Sequence, residues 1–238
     1  MIPLLQAETA LAEGATPQSL TGALAETPTY AITRDAFLLK LPNGLRFHYQ
    51  RGKGVTVSRP ANVTDAEVSL FFNGSVYGAI AWLNGFVPLH ASGVVHDGRV
   101  HAFTGHSGAG KSTLAAALGS RGLPLLADDI LVLDMGDPDT IICHPGHKQI
   151  KLWGDALQLT GTIAGAQVRP GLDKFFAVPP GGNHDRSLPL AHLSFLEEHA
   201  KTPMLTPVIG ADRFNHARAA FYRPGFCNAI AENRNLFA

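Results

Sequence analysis

The chain has 238 residues, Lys+Arg 19 balanced by Asp+Glu 19, with 45% hydrophobic and 16% charged residues. That composition excludes a disordered chain and leaves room for one domain with at most a small appendage. A zero net charge offers no broad positive field for nucleic acid or an anionic membrane, and it favours self-association, so a homo-oligomer is an open expectation. The two cysteines, Cys143 and Cys227, are too few for a disulfide scaffold and form no Cys-x-x-Cys pair, which points to a reducing compartment. The opening MIPLLQAETALAEGA has no basic segment ahead of an apolar run. Every apolar stretch is broken by Gly, Asn or Asp short of the roughly 18 residues a membrane span needs. A soluble cytoplasmic protein is expected.

Residues 1–28 are rich in Ala, Thr and Gly with weak periodicity and read as a poorly ordered or helical lead-in. Short strands are predicted at 30–32, 36–41, 45–50 and 54–58, with turns at Pro42-Asn43-Gly44 and Arg51-Gly52-Lys53-Gly54. Thr64-Asp65-Ala66-Glu67 is a capping-box sequence, so a helix is predicted from about 65 to 83, with a break at Gly74. Phe71, Phe72 and Trp82 supply its apolar face. Residues 29–85 thus read as a small β meander and helix, and 86–238 as the main domain.

Two strands, 87–95 and 99–104, meet across His96-Asp97-Gly98, a hairpin signal. The pattern then becomes strand, glycine loop, helix (111–120), strand (125–127), acidic pair and strand (130–133). This is an α/β nucleotide-binding core in a β-rich setting. Further strands are predicted at 141–144, 148–153, 175–178 and 193–197, a short helix at 156–159, and a helix capped by Asp212 running to Tyr222. Residues 179–183, Pro-Pro-Gly-Gly-Asn, read as a loop with freedom to move.

Gly105-His106-Ser107-Gly108-Ala109-Gly110-Lys111-Ser112 fits G-x-x-x-x-G-K-[ST], with an apolar strand before it and a helix-forming run after it. Glycines let successive N–H groups curl around a phosphate, and the helix aims its N-terminus at the same anion. Lys111 neutralises the β- and γ-phosphates and the Ser112 hydroxyl ligates Mg²⁺. The candidate nucleotide contacts are Gly105, Ser107, Gly108, Ala109, Gly110, Lys111, Ser112 and Thr113. Asp128-Asp129 closes the strand that follows, where a Mg²⁺ site needs a carboxylate. Neighbours on a strand point to opposite faces, so one of the pair can serve Mg²⁺ while the other meets an incoming hydroxyl. His90, in Pro88-Leu89-His90-Ala91-Ser92-Gly93, reads by composition alone as a structural histidine.

His90-Ala91-Ser92-Gly93, the 105–112 loop and Ala127-Asp128-Asp129, at spacings of 15 and 23 residues, together resemble the C-terminal catalytic domain of the bacterial HPr kinase/phosphorylase family. His144-Pro145-Gly146, Lys151-Leu152-Trp153 and Lys174 resemble its compact members, some of which phosphorylate a lasso-peptide precursor on serine. The resemblance spans about residues 30 to 200. It implies a P-loop core of the phosphoenolpyruvate-carboxykinase-like type with a mixed sheet, and an ATP- and Mg²⁺-dependent serine kinase acting on a peptide or protein. It implies catalytic roles for His90, Lys111 and Asp128, with Asp128 as the base, His90 beside the acidic pair, and Ser112 and Asp129 on the metal. Residues 135–150 lack the family's glycine-rich, glutamate-containing segment, and no separate N-terminal domain fits before residue 64. These departures weigh against phosphorolysis. The alternatives are an HPr-like protein or a small hydroxyl metabolite such as free serine as acceptor, or a nucleotide-binding regulatory module without transferase activity.

Among the remaining candidates, Lys174 and Arg169 are second positive contacts for phosphate. Lys148 and Lys151 read as sharing one face of a strand, either solvated or lining an acceptor groove. His144 and His147 read as a surface loop, and Trp153, Phe175 and Phe176 as core.

Overall fold

The computed structural model describes residues 3–169, 171–197 and 202–230 of the chain. Two compact units form, one from residues up to Val87 together with Arg223 onward, the other from Pro88–Tyr222.

The first unit begins with α1 (Pro3–Glu8), then β1 (Leu11–Glu13), β2 (Ala25–Glu26), β3 (Tyr30–Ile32), β4 (Ala36–Lys40), β5 (Arg46–Gln50) and β6 (Gly54–Ser58). Strands β3 to β6 are the antiparallel meander expected from the turn residues. In β5, Phe47 and Tyr49 face the core while Arg46, His48 and Gln50 point outward, the period-2 pattern of a half-buried strand. Residues 11–13 and 25–26, expected in a poorly ordered or helical lead-in, are edge strands. The sheet order is β1-β6-β5-β4-β3-β2, with β1 parallel to β6. Gly54 accommodates that parallel neighbour, since a Cβ there would lie 2.6 Å from the Ala10 carbonyl oxygen.

Helix α2 (Asp65–Phe71) carries the capping box, with Thr64 Oγ1 accepting from Glu67 N and Glu67 accepting from Thr64 N. No break occurs at Gly74. A π-helical turn, Phe72–Val76, carries the chain into α3 (Tyr77–Leu83), whose residues are all buried. Trp82 lies in the core as expected, whereas Phe71 and Phe72 are half-buried. Thr64→Ala removes a donor–acceptor pair at a solvent-facing cap and is expected to lower stability by about 1 kcal/mol, read from the urea midpoint at unchanged slope.

The second unit contains β7 (Val87–Leu89), β8 (Ala91–His96), β9 (Arg99–Thr104), α4 (Lys111–Gly119), β10 (Leu125–Ala127), β11 (Leu131–Asp137), β12 (Thr140–His144), β13 (Ile150–Trp153), α5 (Gly154–Thr160), β14 (Ala164–Gln167), β15 (Lys174–Ala177), β16 (Leu188–Phe195) and α6 (Ala211–Ala219). β7 starts at the last residue of the first unit. Asp97 (φ 48°) and Gly98 (φ 69°) form the tight β8–β9 turn that the Asp-Gly pair predicts. The seven-stranded sheet runs β10-β8-β9-β16-β12-β11-β7, and β13-β15-β14 form a second, three-stranded one. β9 and β16 are parallel and β8 and β9 antiparallel, so this is an α/β fold with a mixed sheet. Val94, Ala115, Ala116, Leu125, Ile150 and Leu157 are among the buried residues that join α4 and α5 to the strands.

Several expectations change here. β16 begins at Leu188, ahead of the predicted 193, because Pro189 hid a strand whose first residues pair with β12 and whose later ones pair with β9. The predicted mobile loop at 179–183 is tied to β10, with Leu125 N donating to Gly182 O (3.0 Å) and His184 N to Leu125 O (2.8 Å). Asp212 lies in the first turn of α6, and Gly210 is the cap. Trp153 is 45% exposed rather than core. The main domain expected over 86–238 gives up its end, because α7 (Pro224–Ile230) belongs to the first unit. There Phe226 stacks edge-on against Tyr30 and Phe37 at 4.8 and 4.9 Å. Among the described residues no helix is long and apolar enough to cross a membrane.

Candidate active site

The site is built at the C-terminal end of β9. Its loop, 105–110, turns directly into α4. Gly105 has φ 148°, and a Cβ there would lie 2.6 Å from the Leu196 carbonyl oxygen, so only glycine fits. Gly108 (φ 91°) and Gly110 (φ 90°) also hold conformations that L side chains rarely adopt. Gly110 caps α4 without a side-chain hydrogen bond. Ser107 and Gly108 are exposed, and Ala109, Ser112 and Thr113 are half-buried along the same turn.

Lys111 is buried, and its Nζ donates to the carbonyls of Gly105 and His106, each at 3.0 Å. Burial pulls its pKa down, the charges of Asp128 and Asp129 push it back up, and Lys174 pulls it down again. That last influence places Lys174 in the field of the loop. Lys174 heads β15, with Nζ 5.4 Å above the Trp153 ring. Arg169 is exposed in the turn between β14 and β15.

The acidic pair follows β10, and its two carboxylates diverge for a different reason from the one expected. The strand ends at Ala127, and Asp129 adopts φ 70°. The left-handed residue, not strand alternation, sends the side chains apart. Asp128 is 2% exposed. Its Oδ1 accepts from Ser92 Oγ at 2.6 Å and from Ser112 Oγ at 2.9 Å, and Oδ2 lies 3.1 Å from the same Ser112 hydroxyl. Burial raises its pKa, and so does the Asp129 charge, against the two serine donors and Lys151. Ser112 Oγ thus links the glycine loop to the acidic pair.

Asp129 faces other partners and is 36% exposed. His90 Nδ1 lies 3.1 Å from its carbonyl oxygen and 3.3 Å from Oδ1, and Lys151 Nζ lies 3.0 Å from Oδ2. Both His90 partners only accept, so Nδ1 carries the proton. Burial works to raise the Asp129 pKa, but the His90 hydrogen bond and the Lys151 charge win and hold it below the usual carboxylate range. His90 sits between β7 and β8, held by its N–H to Ala220 O (2.7 Å) and by Thr104 Oγ1 donating to its carbonyl (3.0 Å).

His90, Lys111, Ser112, Asp128 and Asp129 are therefore brought together, with Lys174 in electrostatic range. Two residues to which the sequence reading gave no catalytic role join them. Ser92 stood inside the motif around His90. Lys151 carried a faint signal, one charge between the core residues Ile150 and Leu152. Lys148 does not share its face. It precedes β13, donates to the His184 carbonyl and pairs with Asp185 at 3.3 Å. His144 ends β12, where the strand predicted at 141–144 places it and not in the surface loop also read for it, with Nδ1 2.8 Å from Ser187 Oγ. The His147 carbonyl accepts from Asp128 N at 3.3 Å.

Among the described residues no group of three or more His, Cys, Asp or Glu is arranged to hold a metal ion. Mg²⁺ asks for less, since it keeps waters and is held through one or two protein oxygens plus phosphates. The Ser112 hydroxyl and Asp128 carboxylate are hard oxygen donors of that kind, beside a loop and lysine suited to phosphate, so the residues present fit the pair of ligands.

Neither a family model nor a curated relative matches the chain. Among solved structures, the HPr(Ser) kinase/phosphatase from Coxiella burnetii aligns with 49% of this chain and 69% of its own at 22% identity, with a TM-score of 0.33. The chain is thus similar, weakly and over about half its length, to a kinase/phosphatase structure.

Proposed function

We propose that this protein is an ATP- and Mg²⁺-dependent kinase that transfers the γ-phosphoryl group to a serine hydroxyl of a peptide substrate. The observation that carries the reading is the Ser112–Asp128 hydrogen bond, because it joins a phosphate-type loop to an acidic pair whose second member is open to an acceptor. The choice of a peptide serine rests on the sequence resemblance to compact HPr-kinase-like proteins.

The loop amides and Lys111 hold the triphosphate, and Lys174 adds a second cation. Ser112 and Asp128 hold Mg²⁺, which supplies charge neutralisation on the phosphate oxygens when bound. Asp129, fixed by His90 and Lys151, accepts the serine proton as the serine oxygen bonds to phosphorus and the bridging oxygen leaves on ADP. This assignment exchanges the two roles that the family resemblance implies for the aspartates. It follows from Ser112 touching Asp128 and from the partial exposure of Asp129.

The test is incubation with Mg·ATP and a serine-bearing peptide, read by mass spectrometry as one added phosphate on serine. ATP binding without transfer to a peptide, an HPr-like protein or free serine would replace this reading with a nucleotide-responsive regulatory module.

A further inference from the structure

We infer that Lys151 is a positioning residue for phosphoryl transfer, acting by fixing the Asp129 carboxylate rather than by touching phosphate. The inference rests on the kinase reading above. Four lysines lie in this region, and their contacts separate them. Lys111 is bound to loop carbonyls, Lys148 to the 184–185 turn, and Lys174 stands over Trp153. Lys151 alone among them forms an ion pair with the acidic pair, at 3.0 Å.

Its stem is held firmly. β13 pairs with β15 through Lys151↔Phe176, and both sequence neighbours of Lys151, Ile150 and Leu152, are buried in the core. The ammonium is thus delivered from a packed strand, not from a loop. Asp129, in contrast, lies just past the end of β10 in a left-handed conformation, where the backbone alone gives the carboxylate little guidance. Two donors set it, His90 Nδ1 from the bend between β7 and β8 on Oδ1 and Lys151 Nζ from β13 on Oδ2. Removing one leaves the carboxylate free to turn about Cα–Cβ. A proton acceptor displaced by about 1 Å loses much of its effectiveness.

The experiment is a double-mutant cycle in the full chain with Mg·ATP and an acceptor peptide. Lys151→Met is expected to lower kcat about 10- to 100-fold, with the KM for ATP within about twofold of the parent. Lys151→Arg, which keeps the ion pair, should recover most of that loss and guards against a simple folding defect. In an Asp129→Asn background, Lys151→Met should cost nothing further, because the group it acts through is already gone. A raised KM for ATP with kcat retained, or losses that multiply in the double variant, overturns the inference in favour of a phosphate contact. Failure of the parent chain to transfer phosphate overturns the kinase reading instead. The Asp129 rotamer, read from NMR couplings in the ligand-free protein, still decides the positioning: one populated χ1 in the parent and averaging in Lys151→Met support it, and an unchanged single rotamer refutes it.

Discussion

Asp129→Asn is expected to reduce phosphoryl transfer by about 10²- to 10⁴-fold while leaving ATP affinity nearly unchanged. A serine hydroxyl is too weak an acid to ionise unaided at neutral pH, so transfer needs a proton acceptor beside it. The amide in this variant keeps the shape of the side chain and accepts one hydrogen bond but cannot take the proton. The partner experiment is Asp128→Asn. Asp128 is buried against Ser112 and Ser92, so its replacement removes charge from the metal side of the site. It is expected to raise the Mg²⁺ concentration needed for half-maximal rate. Titrating Mg²⁺ against initial rate for both variants separates the roles. If Asp129→Asn shifts the Mg²⁺ requirement and Asp128→Asn does not, the assignments revert to those the family resemblance implies.

Lys111→Ala is expected to weaken ATP binding and to lower the rate by about 10²-fold or more, a joint loss that neither aspartate variant shows. The buried ammonium is the loop's own cation, and its removal takes a charged donor away from the Gly105 and His106 carbonyls. Lys111→Arg is not expected to restore activity, because a longer planar guanidinium does not replace a point charge in so tight a loop. Calorimetry with ATP reads the first effect and single-turnover transfer the second. Normal ATP affinity in Lys111→Ala would remove the 105–112 loop from the nucleotide site.

What could be read in advance was local in origin. β3 and β6 fall where their turn residues place them, and the Thr64–Glu67 box and the Asp97-Gly98 turn form as written, because each depends on a few neighbouring residues. The glycine loop was legible for the same reason, since strand, glycines and helix are contiguous. Misses occurred where distant pairing overrode local preference. β14, Ala-Gly-Ala-Gln, has little strand propensity and forms because β15 lies beside it. α7 begins at a proline and is not among the predicted helices, yet Phe226 docks it on Tyr30 and Phe37 nearly 200 residues earlier in the chain.

A length of 238 residues and a net charge of zero bound the class of protein and say nothing about where charge gathers. The order of residues supplies the candidates: His90, the 105–112 loop, Asp128 and Asp129. Folding assigns their relations. It places Ser112 on Asp128, turns Asp129 away through a left-handed backbone, and brings Lys151 to it from a separate sheet. Those contacts, together with that of His90 to Asp129, join residues 16 to 39 positions apart, and no periodicity along the chain encodes a pairing that depends on how strands stack and which core residues anchor them.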